Sequence, residues 1–258
     1  MGKAYLDQAF QNVLTNGDKI FVPYIMAGDG GLDQLPKQIK LLEDAGASAI
    51  ELGIPFSDPV ADGPTIQEAG IRALEEGVGL NDILDVLIKT KDDRKIPVIL
   101  MTYINPIYRF GVKPFSAKCS EAGVDGLIIP DIPLEEESLV ADALAEQDIA
   151  LIRLVALTSP KDRQIESAKR TEGFLYAVTV TGTTGERKDI KENVSTYLDA
   201  LKEMSDCPVL AGFGVSTPDQ VKQLSKACDG VVVGSKIVKS LHENDHQPIY
   251  SMIQAAKN

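Results

Sequence analysis

Eight short apolar runs, each followed by a segment with helical periodicity, limit what this chain can fold into more than any other feature. They cover residues 20–28, 47–53, 96–103, 124–130, 149–156, 173–179, 207–214 and 230–235. Most are continuously apolar rather than alternating, which is typical of parallel strands covered on both faces. Eight strand-then-helix units favour one α/β domain over residues 1–258, a (β/α)₈ TIM barrel with an extra N-terminal helix over residues 3–15. A doubly wound open sheet remains the alternative, because a strand count does not prove closure.

Two local signals predict where helices begin. Thr65-Ile66-Gln67-Glu68 has the pattern of a capping box, in which a hydroxyl and a carboxylate satisfy the first backbone N–H groups. Thr217 places a capping hydroxyl directly before Pro218, a residue favoured at the first helical position. We therefore expect helices to start at Thr65 and Thr217.

The charge balance excludes several classes of partner. The formal net charge is −12, and no basic stripe interrupts it. Such a chain repels nucleic acid and anionic membrane surfaces, so we expect neither as a partner. The N-terminal segment lacks the apolar region of a signal peptide, and no apolar stretch approaches the roughly 18 residues of a membrane span. We expect a cytoplasmic protein.

Cysteine and histidine usage argues against two kinds of site. The three cysteines are far apart and show no CxxC spacing, so we expect small buried side chains in a reducing compartment. Only two histidines occur, both near the C-terminus. Histidine triads and histidine-rich metal sites are therefore not expected, and we predict no metal.

Three glycine-rich turns at successive strand ends predict an anion site. They are "TGTTG" at 181–185, "GFG" at 212–214 and "GS" at 234–235. TIM barrels commonly hold phosphate at the loops after strands 7 and 8, through backbone N–H groups and a helix N-terminus. An acidic chain can bind phosphate in this way without a basic cluster. Ordinary turn glycines are the alternative interpretation.

Two carboxylates in "ELGIPFSDPVADGP" suggest proton chemistry at the same mouth. Glu51 lies in an apolar run, where burial is expected to raise its pKa, so that it can both give and take a proton. Asp62 lies in the following loop and is expected to stay ionised. A structural polar residue is the alternative for Glu51, and a turn residue is the alternative for Asp62.

The motif "ELGIPFSDPVADGPTIQ" resembles the signature of the tryptophan synthase alpha subunits, the indole-3-glycerol-phosphate lyases. "FVPYIMAGD", "MTYINPIYRFG", "GVDGLIIPDIPLEE", "TGTTG" and "AGFGVS" resemble the same family in order and spacing, over essentially the whole chain. The resemblance implies retro-aldol cleavage of indole-3-glycerol phosphate to indole and glyceraldehyde 3-phosphate, with no cofactor. It assigns Glu51 as the acid/base and Asp62 as the partner of the indole nitrogen.

The resemblance also implies a substrate pocket. Aromatic and apolar residues would surround the indole, and small residues of three loops would hold the phosphate, with Thr184 closing over the substrate. The implied set is Tyr24, Met101, Tyr103, Tyr176, Thr184, Gly185, Gly214, Gly234 and Ser235, and Phe213 rings the same mouth. Position 24 is Tyr where Phe is usual in the family, and position 101 is Met where Leu is common.

A partner follows from the same resemblance. The family works as an alpha2-beta2 complex with a beta subunit that carries pyridoxal phosphate and receives the indole. The loop at residues 55–59 and the segment 130–136 resemble the surface that faces this partner. One alternative is a catalytically weak barrel that mainly activates the beta subunit. Another is a different phosphate-binding barrel, such as an isomerase or indole-glycerol-phosphate synthase, although the latter needs a catalytic lysine and Lys95 is poorly placed for that role.

Overall fold

The chain folds into a closed barrel of eight parallel strands in a computed structural model that describes residues 1–179, 187–212 and 214–257, with the backbone alone for 187–193. The strands are β1 (Ile20–Met26), β2 (Ile50–Gly53), β3 (Val98–Met101), β4 (Gly126–Ile128), β5 (Ala150–Ala156), β6 (Leu175–Val178), β7 (Val209–Gly212) and β8 (Gly230–Val233). Each strand pairs with the next along the chain, and β8 pairs with β1. The predicted barrel is confirmed, and the open doubly wound sheet is wrong.

Helices surround the barrel and connect its strands. They are α1 (Lys3–Thr15), α2 (Leu35–Ala45), α3 (Pro64–Glu75), α4 (Leu80–Lys89), α5 (Ile104–Phe110), α6 (Val112–Glu121), α7 (Ala141–Ala145), α8 (Lys161–Arg170), α9 (Arg187–Met204), α10 (Pro218–Leu224), α11 (Ser235–His242) and α12 (Gln247–Gln254). Short 3₁₀ turns lie at Leu32–Gln34, Lys91–Asp93 and Leu134–Leu139. The core between the helices and the outer face of the strands is built from aliphatic side chains.

The extra N-terminal helix is confirmed, and it closes one end of the barrel. Leu6 and Phe10 of α1 are fully buried and belong to the same apolar cluster as the inward-facing residues of the strands. The Phe10 ring meets the Phe174 ring edge-on, with 5.9 Å between the centroids. Phe174 directly precedes β6, so α1 covers the amino-terminal end of the barrel. Any site inside the barrel must therefore open at the carboxyl ends of the strands.

The strands are shorter than the apolar runs that predict them. The run 96–103 contains the four residues of β3, and 124–130 contains the three residues of β4. The flanking residues are apolar because they are also covered: Tyr103 and Ile129 are each 3% exposed although they lie outside the strands. Burial therefore extends further along the chain than the hydrogen-bonded ladder does.

One predicted helix start is correct and the other is wrong. At α10, Thr217 Oγ1 accepts a 3.3 Å hydrogen bond from the Gln220 N–H, as expected for a hydroxyl cap. At α3 the helix already begins at Pro64, after Gly63, and no side chain caps it. The capping box at Thr65 does not form because proline at position 64 is already favoured in the first turn.

Two structural findings concern the expectations about cysteines and membrane spans. The cysteines are unpaired, with Cys119 and Cys228 buried and Cys207 partly buried. Within the described ranges, no helix is both long enough and apolar enough to cross a membrane.

Substituting alanine for Gly70 in the middle of α3 is expected to stabilise the fold by about 0.5–1 kcal/mol, because glycine loses more conformational freedom in a helix. Gly70 is buried, and the nearest atom to an added Cβ is Met26 Cε at 3.6 Å, an ordinary van der Waals distance. Urea unfolding of Gly70→Ala beside the wild type measures the change. A destabilised variant would mean that α3 packs against β1 too tightly for a methyl group.

Candidate active site

A cavity of about 480 Å³ opens at the carboxyl ends of the strands, inside the barrel mouth. Most of the predicted site residues lie around it. Its lining comprises Tyr24, Glu51, Ala61, Asp62, Gly63, Ile66, Met101, Tyr176, Gly214, Val215, Ser216, Val232, Gly234 and Ser235. The structure therefore brings eight predicted residues together, from four strands and from the segments that follow β2, β7 and β8, and Tyr103 contacts this group through Asp62.

Glu51 faces the barrel interior from β2 and is 1% exposed. Its Oε2 atom is buried, and no hydrogen-bond partner for it occurs among the described residues. Burial raises the pKa of Glu51 to about 8, and the neighbouring Asp62 charge adds to the increase. At neutral pH the carboxyl group is therefore mainly protonated.

Asp62 is placed by a hydrogen bond rather than by a strand. The Tyr103 hydroxyl donates to Asp62 Oδ2 at 3.1 Å and accepts a bond from the Ala61 N–H, also at 3.1 Å. Burial raises the pKa of Asp62, and the Tyr103 hydrogen bond opposes that increase. Tyr103, predicted as an indole contact, therefore also orients the loop carboxylate.

Burying Glu51 should make stability depend on pH. Its folded pKa of about 8 lies above the unfolded value of 4.5, so its contribution is complete below pH 4.5 and is lost as pH rises towards 8. A shift of this size corresponds to roughly 5 kcal/mol at most. We expect Glu51→Gln to gain several kcal/mol relative to wild type between pH 5 and pH 9. Urea unfolding at both pH values tests this, and an equal difference at both would contradict the burial of an ionisable group.

Two tyrosines occupy the space above strand glycines, a feature that was not predicted. A Cβ on Gly53 of β2 would lie 1.9 Å from the Tyr24 hydroxyl oxygen, and one on Gly212 of β7 would lie 2.4 Å from Tyr176 Cε1. Each tyrosine therefore leans from its own strand across the next one. Gly212 belongs to a strand and supports an aromatic ring, so of the two glycines of the "GFG" turn it is Gly214 that lines the cavity. No local sequence signal indicates this role, since it depends on the register between strands.

The far side of the cavity is formed by small residues at a helix N-terminus. Gly234 precedes α11, Ser235 is its first residue, and no acidic residue lies in its first turn. Free N–H groups and the helix dipole favour an anion at such a position. Gly214 has a φ of 81°, a left-handed conformation that favours glycine. These residues lie where the sequence predicts the anion site, which stays a prediction.

Of the other predicted site residues, one lines the cavity and three lie outside the described residues. Met101 ends β3 and lines the cavity. Thr184, Gly185 and Phe213 lie outside the described residues. Val215, Ser216 and Ile66 also line the cavity but were not predicted, although the first two directly follow the "GFG" turn.

A larger groove of about 750 Å³ runs along α2 and the segment before β3, and it includes Lys95. The Lys95 carbonyl accepts a hydrogen bond from Tyr5 and its N–H donates to Glu43, both at the amino-terminal approach to β3. A catalytic lysine for indole-glycerol-phosphate synthase chemistry would need to reach the carboxyl-end cavity. Lys95 is therefore on the wrong side of the barrel for that alternative.

Fold and cavity together define a class: a (β/α)₈-barrel protein with a buried acid, a second carboxylate and a helix N-terminus around one pocket. Comparisons with known proteins narrow this class. The family model described as tryptophan synthase alpha chain matches residues 10–258. The tryptophan synthase alpha chain of Oceanobacillus iheyensis is 57% identical over 254 residues, covering 98% of this chain and 97% of the relative. That of Bacillus cereus is 50% identical over 257 residues, covering 100% and 98%.

Solved structures agree with this assignment. The tryptophan synthase subunit alpha of Legionella pneumophila superposes with a TM-score of 0.88 at 31% identity, covering 99% of this chain and 98% of that one. A chain of the Mycobacterium tuberculosis tryptophan synthase, in an aminoacrylate-bound form, gives 0.88 at 28% identity with full coverage of both. The chain belongs to the tryptophan synthase alpha chain family.

Proposed function

We propose that the chain cleaves indole-3-glycerol phosphate to indole and glyceraldehyde 3-phosphate by a retro-aldol reaction, as a lyase of tryptophan biosynthesis. The observation that carries the proposal is one cavity bounded by Glu51 and Asp62 on one side and by the α11 N-terminus on the other. Family membership supports it over the whole chain. The same coverage by one closed barrel supports a single domain over residues 1–258.

Glu51 is proposed to move the proton that makes the reaction possible. An indole carbanion is a poor leaving group, so C3 must be protonated first, giving an indolenine cation. The bond between C3 and the glycerol carbon then breaks, and its electrons restore the aromatic indole. The proton of the glycerol hydroxyl leaves as the aldehyde forms. A glutamate with a pKa of about 8 can deliver the first proton at neutral pH and receive the second as carboxylate.

Asp62 is proposed to stabilise the positive charge that grows at the indole nitrogen. At a separation of about 3 Å and an effective dielectric near 20, this attraction is of order 5 kcal/mol before desolvation costs. The Tyr103 hydrogen bond holds the carboxylate before substrate binds, so little reorganisation is needed during the reaction.

The phosphate is proposed to bind at Gly214, Gly234 and Ser235 together with Gly185, and the indole between Tyr24, Met101, Phe213 and Tyr176. Thr184 is proposed to close over the bound substrate. The cavity links the described members of both groups, which supports one elongated ligand with an anionic end and a flat apolar end. None of these contacts requires a metal or another cofactor.

The test is an assay of the purified chain with indole-3-glycerol phosphate, with and without a tryptophan synthase beta subunit. Release of indole and glyceraldehyde 3-phosphate in equal amounts supports the proposal. Absence of both products in both conditions would refute it and would leave only an activating role for this barrel.

The partner is proposed to be a tryptophan synthase beta subunit in an alpha2-beta2 complex located in the cytoplasm, with pyridoxal phosphate held by the partner. Val60, in the loop after β2, is 82% exposed and directly precedes Ala61, which lines the cavity, and Tyr108 on α5 is 59% exposed. Such exposed apolar groups near a site suit a protein interface. Co-elution with a beta subunit, weakened by Val60→Asp, tests this partner.

A further inference from the structure

The Tyr24 hydroxyl is a polar group at the cavity that has no hydrogen-bond partner among the described residues. Tyr24 is 6% exposed and lines the cavity, and its side chain makes no hydrogen bond within the described part of the chain. Its ring lies over Gly53, with the hydroxyl oxygen filling the space that a Cβ there would need. The hydroxyl is reached from the cavity, so it can pair with a bound ligand.

The position of the hydroxyl is set by strand register. Tyr24 of β1 pairs with Glu51 of β2, and Gly53 lies two residues further towards the mouth on the same inward face. The hydroxyl therefore lies one layer above the backbone of Glu51, on the side that substrate must approach.

The other end of the same side chain lies beside the anion end. A Cβ on Gly234 would lie 3.7 Å from the Tyr24 Cβ. Tyr24 therefore extends along the cavity wall from the α11 N-terminus to β2. Its hydroxyl lies at the end of the side chain that is nearer to Glu51. A phosphate at Gly234 and a reacting carbon beside Glu51 would therefore lie near opposite ends of this side chain.

From this arrangement we infer that the Tyr24 hydroxyl hydrogen-bonds the substrate hydroxyl on the carbon whose bond to the indole is broken, and so selects substrates that carry it. The inference deepens the proposed function and rests on it. Burial and the nearby carboxylates Asp62 and Glu51 raise the pKa of Tyr24, so its hydroxyl stays protonated. It can then donate to the substrate oxygen while the proton of that oxygen passes to Glu51.

Other groups around the mouth are less suited to this contact. Asp62 Oδ2 already accepts the Tyr103 hydroxyl, and its proposed role is at the indole nitrogen. Tyr176 also faces Glu51, but its ring lies over Gly212 of β7, whereas the Tyr24 ring extends from Gly234 to Gly53. Glu51 is the acceptor of the proton, so a second, donating group is needed to hold the oxygen from which that proton leaves.

The test compares Tyr24→Phe with wild type on two molecules: indole-3-glycerol phosphate and indole-3-propanol phosphate, which lacks the glycerol hydroxyls. Loss of one buried neutral hydrogen bond is expected to lower kcat/KM for the substrate by about three- to tenfold. The dissociation constant of the propanol analogue, measured by calorimetry, should stay within about twofold, because the analogue has no oxygen for Tyr24 to contact. Unchanged analogue binding also shows that the variant is folded.

Two further variants strengthen the test. Gly53→Ala should displace the hydroxyl and reproduce or exceed the Tyr24→Phe loss, since its Cβ would overlap Tyr24. Tyr250→Phe removes a hydroxyl from α12, where the side chain is exposed, and should behave as wild type. Equal weakening of substrate and analogue by Tyr24→Phe, or no effect on either, would overturn the inference. Wild-type enzyme that fails to cleave the substrate would instead overturn the proposed function.

Discussion

The Glu51→Gln variant is expected to lose about 10²–10⁴-fold in kcat for indole release, the range that a positioned general acid–base contributes. Glutamine has nearly the same shape and keeps the pocket filled, but it cannot give up or accept the proton that C3 and the glycerol hydroxyl exchange. Because Glu51 has no partner for Oε2 among the described residues, the change breaks no known hydrogen bond at that atom. KM should change little, since the loss is in the transition state.

The matched control for this variant is Glu146→Gln, an exposed carboxylate between α7 and β5. It should retain wild-type kcat. Product is measured as indole released over time, with the chain alone and with a beta subunit. If Glu51→Gln keeps more than a tenth of the wild-type rate in both conditions, Glu51 is not the proton-transferring group.

The Asp62→Asn variant is expected to show the second-largest effect, a loss of about 10²–10³-fold in kcat, comparable to removal of one preorganised electrostatic contact. Asparagine can still accept the Tyr103 hydroxyl through its amide oxygen, so the loop position is retained while the charge is lost. Asp92→Asn, an exposed substitution at the amino-terminal side of the barrel, serves as the control.

A comparison with Tyr103→Phe separates the charge of Asp62 from its orientation. That variant removes only the 3.1 Å hydrogen bond, so a loss of about three- to tenfold is expected. Should Asp62→Asn cost no more than Tyr103→Phe, the charge at the indole nitrogen would not be the role of Asp62.

The two carboxylates are also expected to lower the free energy of unfolding. Glu51 is buried, its Oε2 has no partner among the described residues, and burial and the nearby Asp62 both raise its pKa. An unsatisfied buried polar atom costs about 1–3 kcal/mol. The rise in stability expected for Glu51→Gln at high pH, together with its loss of activity, would show that the same buried group limits stability and supports the proposed chemistry.

Much of the architecture could be predicted from the sequence. The apolar runs predicted all eight strands, and the periodicity of residues 3–15 predicted α1. These features are local, because burial on both faces requires a continuous apolar run and an amphipathic helix requires a 3.6-residue period. Glu51 and Asp62 could be singled out for the same reason: a carboxylate in an apolar run and one in the following loop are visible along the chain. Their catalytic roles remain predictions.

Other features depended on which strands become neighbours. That Tyr24 lies over Gly53, and Tyr176 over Gly212, follows from the register of β1 with β2 and of β6 with β7. The Tyr103 bond to Asp62 joins residues 41 positions apart. The amino acid sequence alone determined the alternation of strands and helices and the kinds of side chain at strand ends, because these depend on periodicity and burial. Only the closed barrel decided which of those side chains share a cavity, because distances across the barrel depend on closure and register, and neither is encoded in any single segment.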